Sequence, residues 1–337
     1  MASSFLQNNE AARILAWSIG IAGILCNFAI LWYNYKYKLL KINIQNPLAN
    51  HRQQSARKTS TVTNHLICQL AIANLLGSIY LIIILSADLY YGYHYPNLYR
   101  NPNRKNVTNP WLLSPFCHLS RFLYFTSSVM SILLPSVIVI DRFIAIIFPY
   151  SKFRFNIYRC RLITLMCWLV VIAYALIPTI RNIAFRLTKA FDTNANLCLY
   201  RDIVLIYSTN HRLSRQIIYF ILTGMIAILY VIIFIYIKFK GRNMQSRTNR
   251  LERKVLIIMI IITISNICTL FPAFFARAVF RNPAFNIPRQ TFQRALPILI
   301  FASFASGVIN PIAYFILSVL GKCNANLLAC CKAQKTL

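Results

Sequence analysis

Acidic residues are almost missing from this chain. Its 337 residues include 6 Asp+Glu against 36 Lys+Arg, and charged residues of both signs make up only 12%, where a soluble domain of this size carries about a quarter. Charge is wholly absent from seven stretches: Ile14–Tyr33, Leu66–Ala87, Phe122–Ile140, Leu162–Ile180, Ile217–Ile237, Val255–Ala276 and Ala295–Leu320. Each has 19 residues or more, and a helix needs roughly 20 to cross about 30 Å of hydrocarbon. One charge at the centre of such a helix costs about 2.5–3.5 kcal/mol on insertion scales, so a bilayer selects this distribution. Backbone groups in lipid must bond within their own segment, which makes the spans helices. A water-soluble globular fold is excluded. The expectation is an all-α membrane protein, a seven-transmembrane helix bundle with a short membrane-associated segment after the seventh helix.

Other absences narrow the function. No span holds an aspartate pair, and no nucleophile and base stand together; the five histidines (His51, His65, His94, His118, His211) sit singly in or beside the connections. That argues against an enzyme and gives no reason to expect a metal or a cofactor. Net charge +30 would suggest nucleic acid in a soluble protein. Here the bases flank the spans, where anionic headgroups attract them, and no nucleic-acid-binding motif accompanies them; the partner is membrane lipid. The first apolar stretch has no small-residue cleavage signature and reads as a retained helix. No internal repeat is found, which argues against a transporter built from two related halves.

An odd number of spans puts the termini on opposite sides. With the N-terminus outside, the inner side receives 21 Lys+Arg and the outer side 15, the bias expected of cytoplasmic loops. Asn106-Val107-Thr108 is an N-glycosylation acceptor pattern and then falls in the first outer loop. The reading is a multi-pass plasma-membrane protein: residues 1–11 a short extracellular tail, 12–320 the seven-span domain, 321–337 a cytoplasmic tail. Cys323, Cys330 and Cys331 in that tail are juxtamembrane palmitoylation candidates. The connection from Asn34 to His65 is long, basic and rich in Ser, Thr, Asn and Gln, and reads as a flexible inner loop.

Polar groups within apolar spans are costly and tend to be functional, although any one of them can serve only to bond a neighbouring helix. Asn27, Asn74, Ser131 and Asn310 are such groups, in the first, second, third and seventh spans. Asn310-Pro311-Ile312-Ala313-Tyr314 closes the last span, and Asp141-Arg142-Phe143 closes the third. Cys117 stands 25 residues before Arg142, Trp168 ten before Pro178, and Glu252 20 before Pro272. Asn64, Leu70, Ala71 and Ala73 form a further pattern in the second span. Together, in order and in register, these motifs resemble the rhodopsin-like G-protein-coupled receptors. Within that family Leu81–Tyr90 and the proline-free fifth span are similar to the leucine-rich-repeat-containing hormone receptors. The stretch ahead of the first span, about a dozen residues, has no room for their repeat ectodomain.

The resemblance implies an extracellular ligand, a heterotrimeric G protein as partner, and a set of site residues. Asp141, Arg142, Glu252, Pro272, Asn310, Pro311 and Tyr314 would form the activation switch, with Arg142 and Glu252 facing each other at the inner ends of the third and sixth helices. The prolines remove backbone donors and bend their helices, and are expected as hinges. Asn27, Asn74, Ser131 and Asn310 would share one polar core, and Cys117 would pair with Cys198, since the outer side is oxidising and no other cysteine is expected there. Arg121, Tyr124, Leu270, Arg277 and Arg294 would face the ligand. Tyr124 stands where amine receptors carry an Asp, which disfavours monoamines; a peptide is the leading expectation, and a lipid or other anionic small molecule the second. Guanidinium groups suit carboxylates, so the ligand is expected to be acidic if the arginines line the cavity instead of reaching for headgroups. Departures from the family are Asn74 for its aspartate, which removes the charge that would hold sodium, Leu270 for its tryptophan, Phe143 for its tyrosine, and Pro135 within the third span. The competing reading is a seven-helix channel or transporter with its polar groups along a pathway.

Overall fold

The computed structural model describes residue 6 and residues 9–43, 51–94, 110–148, 151–152, 155–184, 197–199, 210–240, 260–269, 271–272 and 289–316. These residues are helical apart from short turns and connections, and no strand occurs among them. Six helices are long and apolar enough to cross a membrane. They lie in Glu10–Asn43, His51–His94, Pro115–Ile147, Ile157–Ala184, Asn210–Lys240 and the two-part helix Arg289–Ala302 with Ser306–Phe315. The remaining span, sixth in order, is described as the shorter apolar helix Ile260–Thr269. The seven apolar stretches of the sequence thus become one bundle.

Two helices differ from expectation. The connection Asn34–His65 is not a loop over most of its length: the first helix runs on to Asn43 and the second starts at His51. Lys, Leu, Gln, Arg and Ala are good helix formers, and helices anchored in the bilayer propagate into water more easily than they nucleate there. The third helix, Pro115–Ile147, passes Pro135 without interruption, as membrane helices can when neighbours re-satisfy the freed backbone groups. Its start is set locally: Ser114 accepts the Cys117 N–H at 3.2 Å, and Pro115 stands at the first helical position, where its missing N–H costs nothing.

The third helix is central, packing on the second, fourth and fifth; the first packs on the second and on both parts of the seventh. Large apolar side chains of the fourth and fifth helices point outward, among them Leu165, Leu169, Val170, Phe220, Ile221, Ile228 and Phe234. Such a surface would be a liability in water and is what lipid contact requires.

Inside, two apolar clusters lie toward the two ends of the bundle. One, at the Cys117 end, gathers Ile19, Tyr80, Leu81, Ile84, Leu85, Leu123, Ile300, Phe301 and Phe304. The other, at the Arg142 end, gathers Ile30, Leu66, Leu70, Met130, Leu134, Ile138, Ile262 and Tyr314. Between them along the helices stands a belt of buried polar residues: Asn27 on the first, Asn74 and Ser78 on the second, Thr126, Ser127 and Ser128 on the third, and Ser306 and Asn310 on the seventh.

Candidate functional site

The belt is built by close backbone approach. A Cβ on Gly23 would collide with the Ser78 hydroxyl, and one on Gly77 would stand 2.5 Å from Phe304 Cδ1 and 2.6 Å from Ser127 Oγ. Small residues let membrane helices come this near. The Asn27 side-chain amide can then donate to the carbonyls of Gly23 and Gly307, each at 2.7 Å, which ties the first helix to the seventh. Ser78 donates to the Asn74 carbonyl at 3.1 Å. Asn310 Nδ2 donates to Asn266 Oδ1 at 3.0 Å, and the Ser265 hydroxyl donates to Asn310 Oδ1.

Asn27, Asn74, Asn310, Pro311 and Tyr314 line one small cavity with apolar neighbours from the second and sixth helices; its free space, about 10 Å³ for the centre of a water, matches a single water molecule. Asn27 Oδ1 and Asn74 Nδ2 have no hydrogen-bond partner among the described residues. A buried polar atom in that position calls for solvent. No carboxylate lines the cavity, so the donor set is neutral. Ser131 is buried on the third helix and is not one of the lining residues.

The seventh helix breaks at Ser303–Ala305, above the cavity. Phe304, Ala305 and Gly307 each donate to the carbonyl three residues back, at 2.9–3.0 Å, a tighter turn than the α-helix. The Ser303 hydroxyl donates to the Ile300 carbonyl at 2.6 Å. The break turns Phe304 onto Gly77 and against Tyr80 and Tyr124, with ring centroids 5.5 Å and 5.8 Å away; Tyr80 and Tyr124 are themselves 5.2 Å apart. The Tyr80 hydroxyl donates to the Leu197 carbonyl at 3.2 Å.

Over this triad lies the segment 197–199, buried and fixed by the Cys117–Cys198 disulfide, whose Cα atoms are 5.4 Å apart. Arg121 is fully buried, and its Nε donates to the Cys198 carbonyl at 3.4 Å. Its guanidinium therefore sits beneath the loop segment instead of at an open rim. Arg294 is exposed at the start of the seventh helix.

At the opposite end Arg142 is buried, donating to Asp141 at 2.6 Å and to the Thr63 hydroxyl. The Tyr314 hydroxyl donates to Asn64 Oδ1 at 3.5 Å, so the seventh helix also closes on the second. Trp168 Nε1 donates to Gln69 Oε1 at 2.7 Å, joining fourth to second. Pro272 is exposed next to Phe271, which packs on Phe220 of the fifth helix at 6.2 Å. Asn106, Glu252, Leu270, Arg277, Cys323, Cys330 and Cys331 lie outside the described residues.

Thr63, Ser265, Asn266, Gly77 and Ser127 were not singled out by the sequence reading. Ser265 and Asn266 carried the same signal as Asn310, a polar side chain in an apolar stretch. The glycine and the hydroxyl residues did not, because small residues are ordinary in membrane helices.

A closely packed seven-helix membrane bundle with a buried arginine at one end and a disulfide-fixed segment over the other defines a class, and the comparisons supply the family. The chain belongs to the 7 transmembrane receptor (rhodopsin family), whose model matches residues 52–314. It is 25% identical over 194 residues, 58% of this chain, to the G-protein coupled receptor GRL101 of Lymnaea stagnalis. It is 24% identical over 311 residues, 90% of the chain, to the follicle-stimulating hormone receptor of Cairina moschata. To the thyrotropin receptor of Ovis aries it is 24% identical over 253 residues, 73% of the chain. The matched regions cover 15%, 38% and 28% of these relatives' own lengths.

Proposed function

We propose that this protein is a plasma-membrane receptor that passes the binding of an extracellular ligand, a peptide, to a heterotrimeric G protein. Its N-terminus is outside, with the tail 1–11, Cys198 and Asn106 on that face, and the tail 321–337 is inside. The observation that carries this reading is Arg142, closed off at the end of the third helix by Asp141 and Thr63 while the polar belt links that end to the Phe304 triad. Burying an arginine costs free energy unless its partners are good, and a transporter has no reason to keep one there. In a receptor it is a group to be released: the inner end of the sixth helix swings out from Pro272, Arg142 loses its pairing with Glu252, and the exposed basic face receives the G protein. Glu252 pairs with Arg142 in the resting state.

The ligand enters beside segment 197–199 and acts on Tyr124, Tyr80 and Phe304. Tyr124 in place of a carboxylate leaves a small cation without a counter-ion, so a peptide is favoured over a monoamine. The exposed Arg294, together with Arg277 five residues after Pro272 in the sequence, favours an acidic group on it, whereas Arg121, beneath the loop, supports the segment. Two of the relatives are named as receptors for follicle-stimulating hormone and thyrotropin. The test is a peptide library screened on cells carrying the receptor and a G-protein reporter, with Arg142→Ala as control. A peptide active on the native receptor and silent on the control is expected; activation by simple amines alone would overturn the ligand assignment.

A further inference from the structure

Ahead of the first helix the chain folds back onto the bundle. The Leu6 main-chain N–H donates to Asp88 Oδ1 at 2.8 Å, and the Leu6 side chain, 3% exposed, belongs to the same apolar cluster as Trp111, Leu112, Leu197 and Leu199. The second Asp88 oxygen takes the Arg13 guanidinium at 2.9 Å, and the Asp88 side chain is wholly closed off. Asn9 does two things: its Oδ1 caps the first helix by accepting the Ala12 N–H at 3.2 Å, and its Nδ2 donates to the Arg294 carbonyl at 2.7 Å.

Leu6, Asn9 and Arg13 therefore bind as a peptide binds a receptor site. An aliphatic side chain fills an apolar pocket, a main-chain N–H finds a carboxylate, and a cation neutralises that carboxylate. The segment reaches three helices at once: the second through Asp88, the seventh through Arg294, and the first, which it begins. A buried carboxylate makes such contacts demanding, because losing one partner leaves charge uncompensated in a low dielectric. In this same structure Arg142 is shut in at the far end. A contact can bias an equilibrium only if it differs between the two states, and this one joins the outer ends of the first, second and seventh helices.

We propose that the segment around Leu6 is an intramolecular ligand of the Asp88 site, whose seating holds the outer ends of the first, second and seventh helices together and keeps the receptor at rest. The proposal rests on the G-protein reading for its output. It adds a binding site for an aliphatic residue with a free main-chain N–H, occupied in cis. Its effective concentration is of the millimolar order typical of short tethers, so a weak site suffices.

Two measurements test it. In membranes carrying the receptor, Leu6→Ala is expected to raise basal guanine-nucleotide exchange per surface receptor by about tenfold, a shift of about 1.4 kcal/mol. A synthetic peptide of residues 1–11 at millimolar concentration is expected to lower it again, and a scrambled peptide is not. Unchanged or lower basal exchange in Leu6→Ala, with Glu252→Ala elevated in parallel, overturns the proposal and leaves the receptor reading standing. The second measurement needs no G protein: a Leu6→Cys receptor is treated with a membrane-impermeant thiol reagent. Slow labelling that becomes fast when Asp88→Asn is added supports seating at Asp88. Equally fast labelling in both overturns it, whatever the exchange assay reads. Silence of every variant in exchange, with Leu6→Cys protected, sinks the receptor reading and with it the resting-state role, leaving only the seat.

Discussion

Replacing Asn266 by alanine removes the Asn310–Asn266 hydrogen bond, 3.0 Å long, that joins the sixth helix to the seventh beside the polar cavity. Asn310 would keep the Ser265 hydroxyl as donor but lose the acceptor for its own amide. Asn266 Nδ2 has no partner among the described residues, so its removal loses nothing on that side. Side-chain hydrogen bonds between membrane helices contribute about 0.6 kcal/mol on average and up to about 1.7 kcal/mol. If the bond exists only while the sixth helix is closed, its loss moves the equilibrium toward the open state by about threefold to about sixteenfold at 1.4 kcal/mol per decade. The assay is ligand-free nucleotide exchange, normalised to surface receptor measured with an impermeant label. Asn266→Asp keeps an acceptor for the Asn310 amide and should remain near the native value. A basal rate in Asn266→Ala equal to or below native, at normal surface amount, would refute the reasoning, because the bond would then be equally present in both states.

Four other outcomes follow from the geometry. Glu252→Ala should raise basal exchange while Arg142→Ala abolishes stimulation; an unchanged basal rate in the first counts against the ionic lock. Ligand affinity should be the same in sodium and potassium chloride at equal ionic strength, since Asn27, Asn74 and Asn310 offer the cavity no carboxylate, and a sodium-specific change would reject the neutral-cavity assignment. Cys117→Ser or Cys198→Ser opens a loop of 81 residues, worth about 4–5 kcal/mol in chain entropy, so surface expression and thermal stability in detergent should both fall; native stability of either variant would contradict this. Gly77→Ala puts a methyl 2.5 Å from the Phe304 ring, and overpacking of about 1–3 kcal/mol should reduce agonist potency more than Ser128→Ala does, as dose–response curves will decide.

The spans were legible because lipid imposes a rule on composition: a single lysine inside Leu66–Ala87 or Phe122–Ile140 would have spoiled the pattern, and none occurs. The order of Cys117, Arg142, Pro272 and Asn310-Pro311 likewise stood in the sequence. What the sequence did not carry was which of several polar residues meet. The sequence grouped Asn310 with Asn27, Asn74 and Ser131; the hydrogen bonds it makes go to Ser265 and Asn266. Arg121, one turn inside Cys117, was expected to point toward the outer cavity or its rim, and the carbonyl of Cys198 that lies over it could not be read from the sequence. Leu6 was invisible for a different reason: a lone leucine ahead of a span has no periodicity, and its burial depends on Asp88, 82 residues away. The helical extension through Asn43 and from His51 was masked by loop-like composition, since polar residues leave a helix and a loop hard to tell apart without an apolar face.

The central claim is tested most directly by reconstituting the purified protein in liposomes and measuring two things on the same sample. With a heterotrimeric G protein on the inner face, guanine-nucleotide exchange should run faster than in empty liposomes, rise further in Glu252→Ala, and fall to the empty-liposome rate in Arg142→Ala. With solute trapped inside, its release should match that of empty liposomes. Solute flux that depends on the protein, with exchange no faster than in empty liposomes for every variant, would contradict the account and make the polar belt a transport pathway instead of a switch.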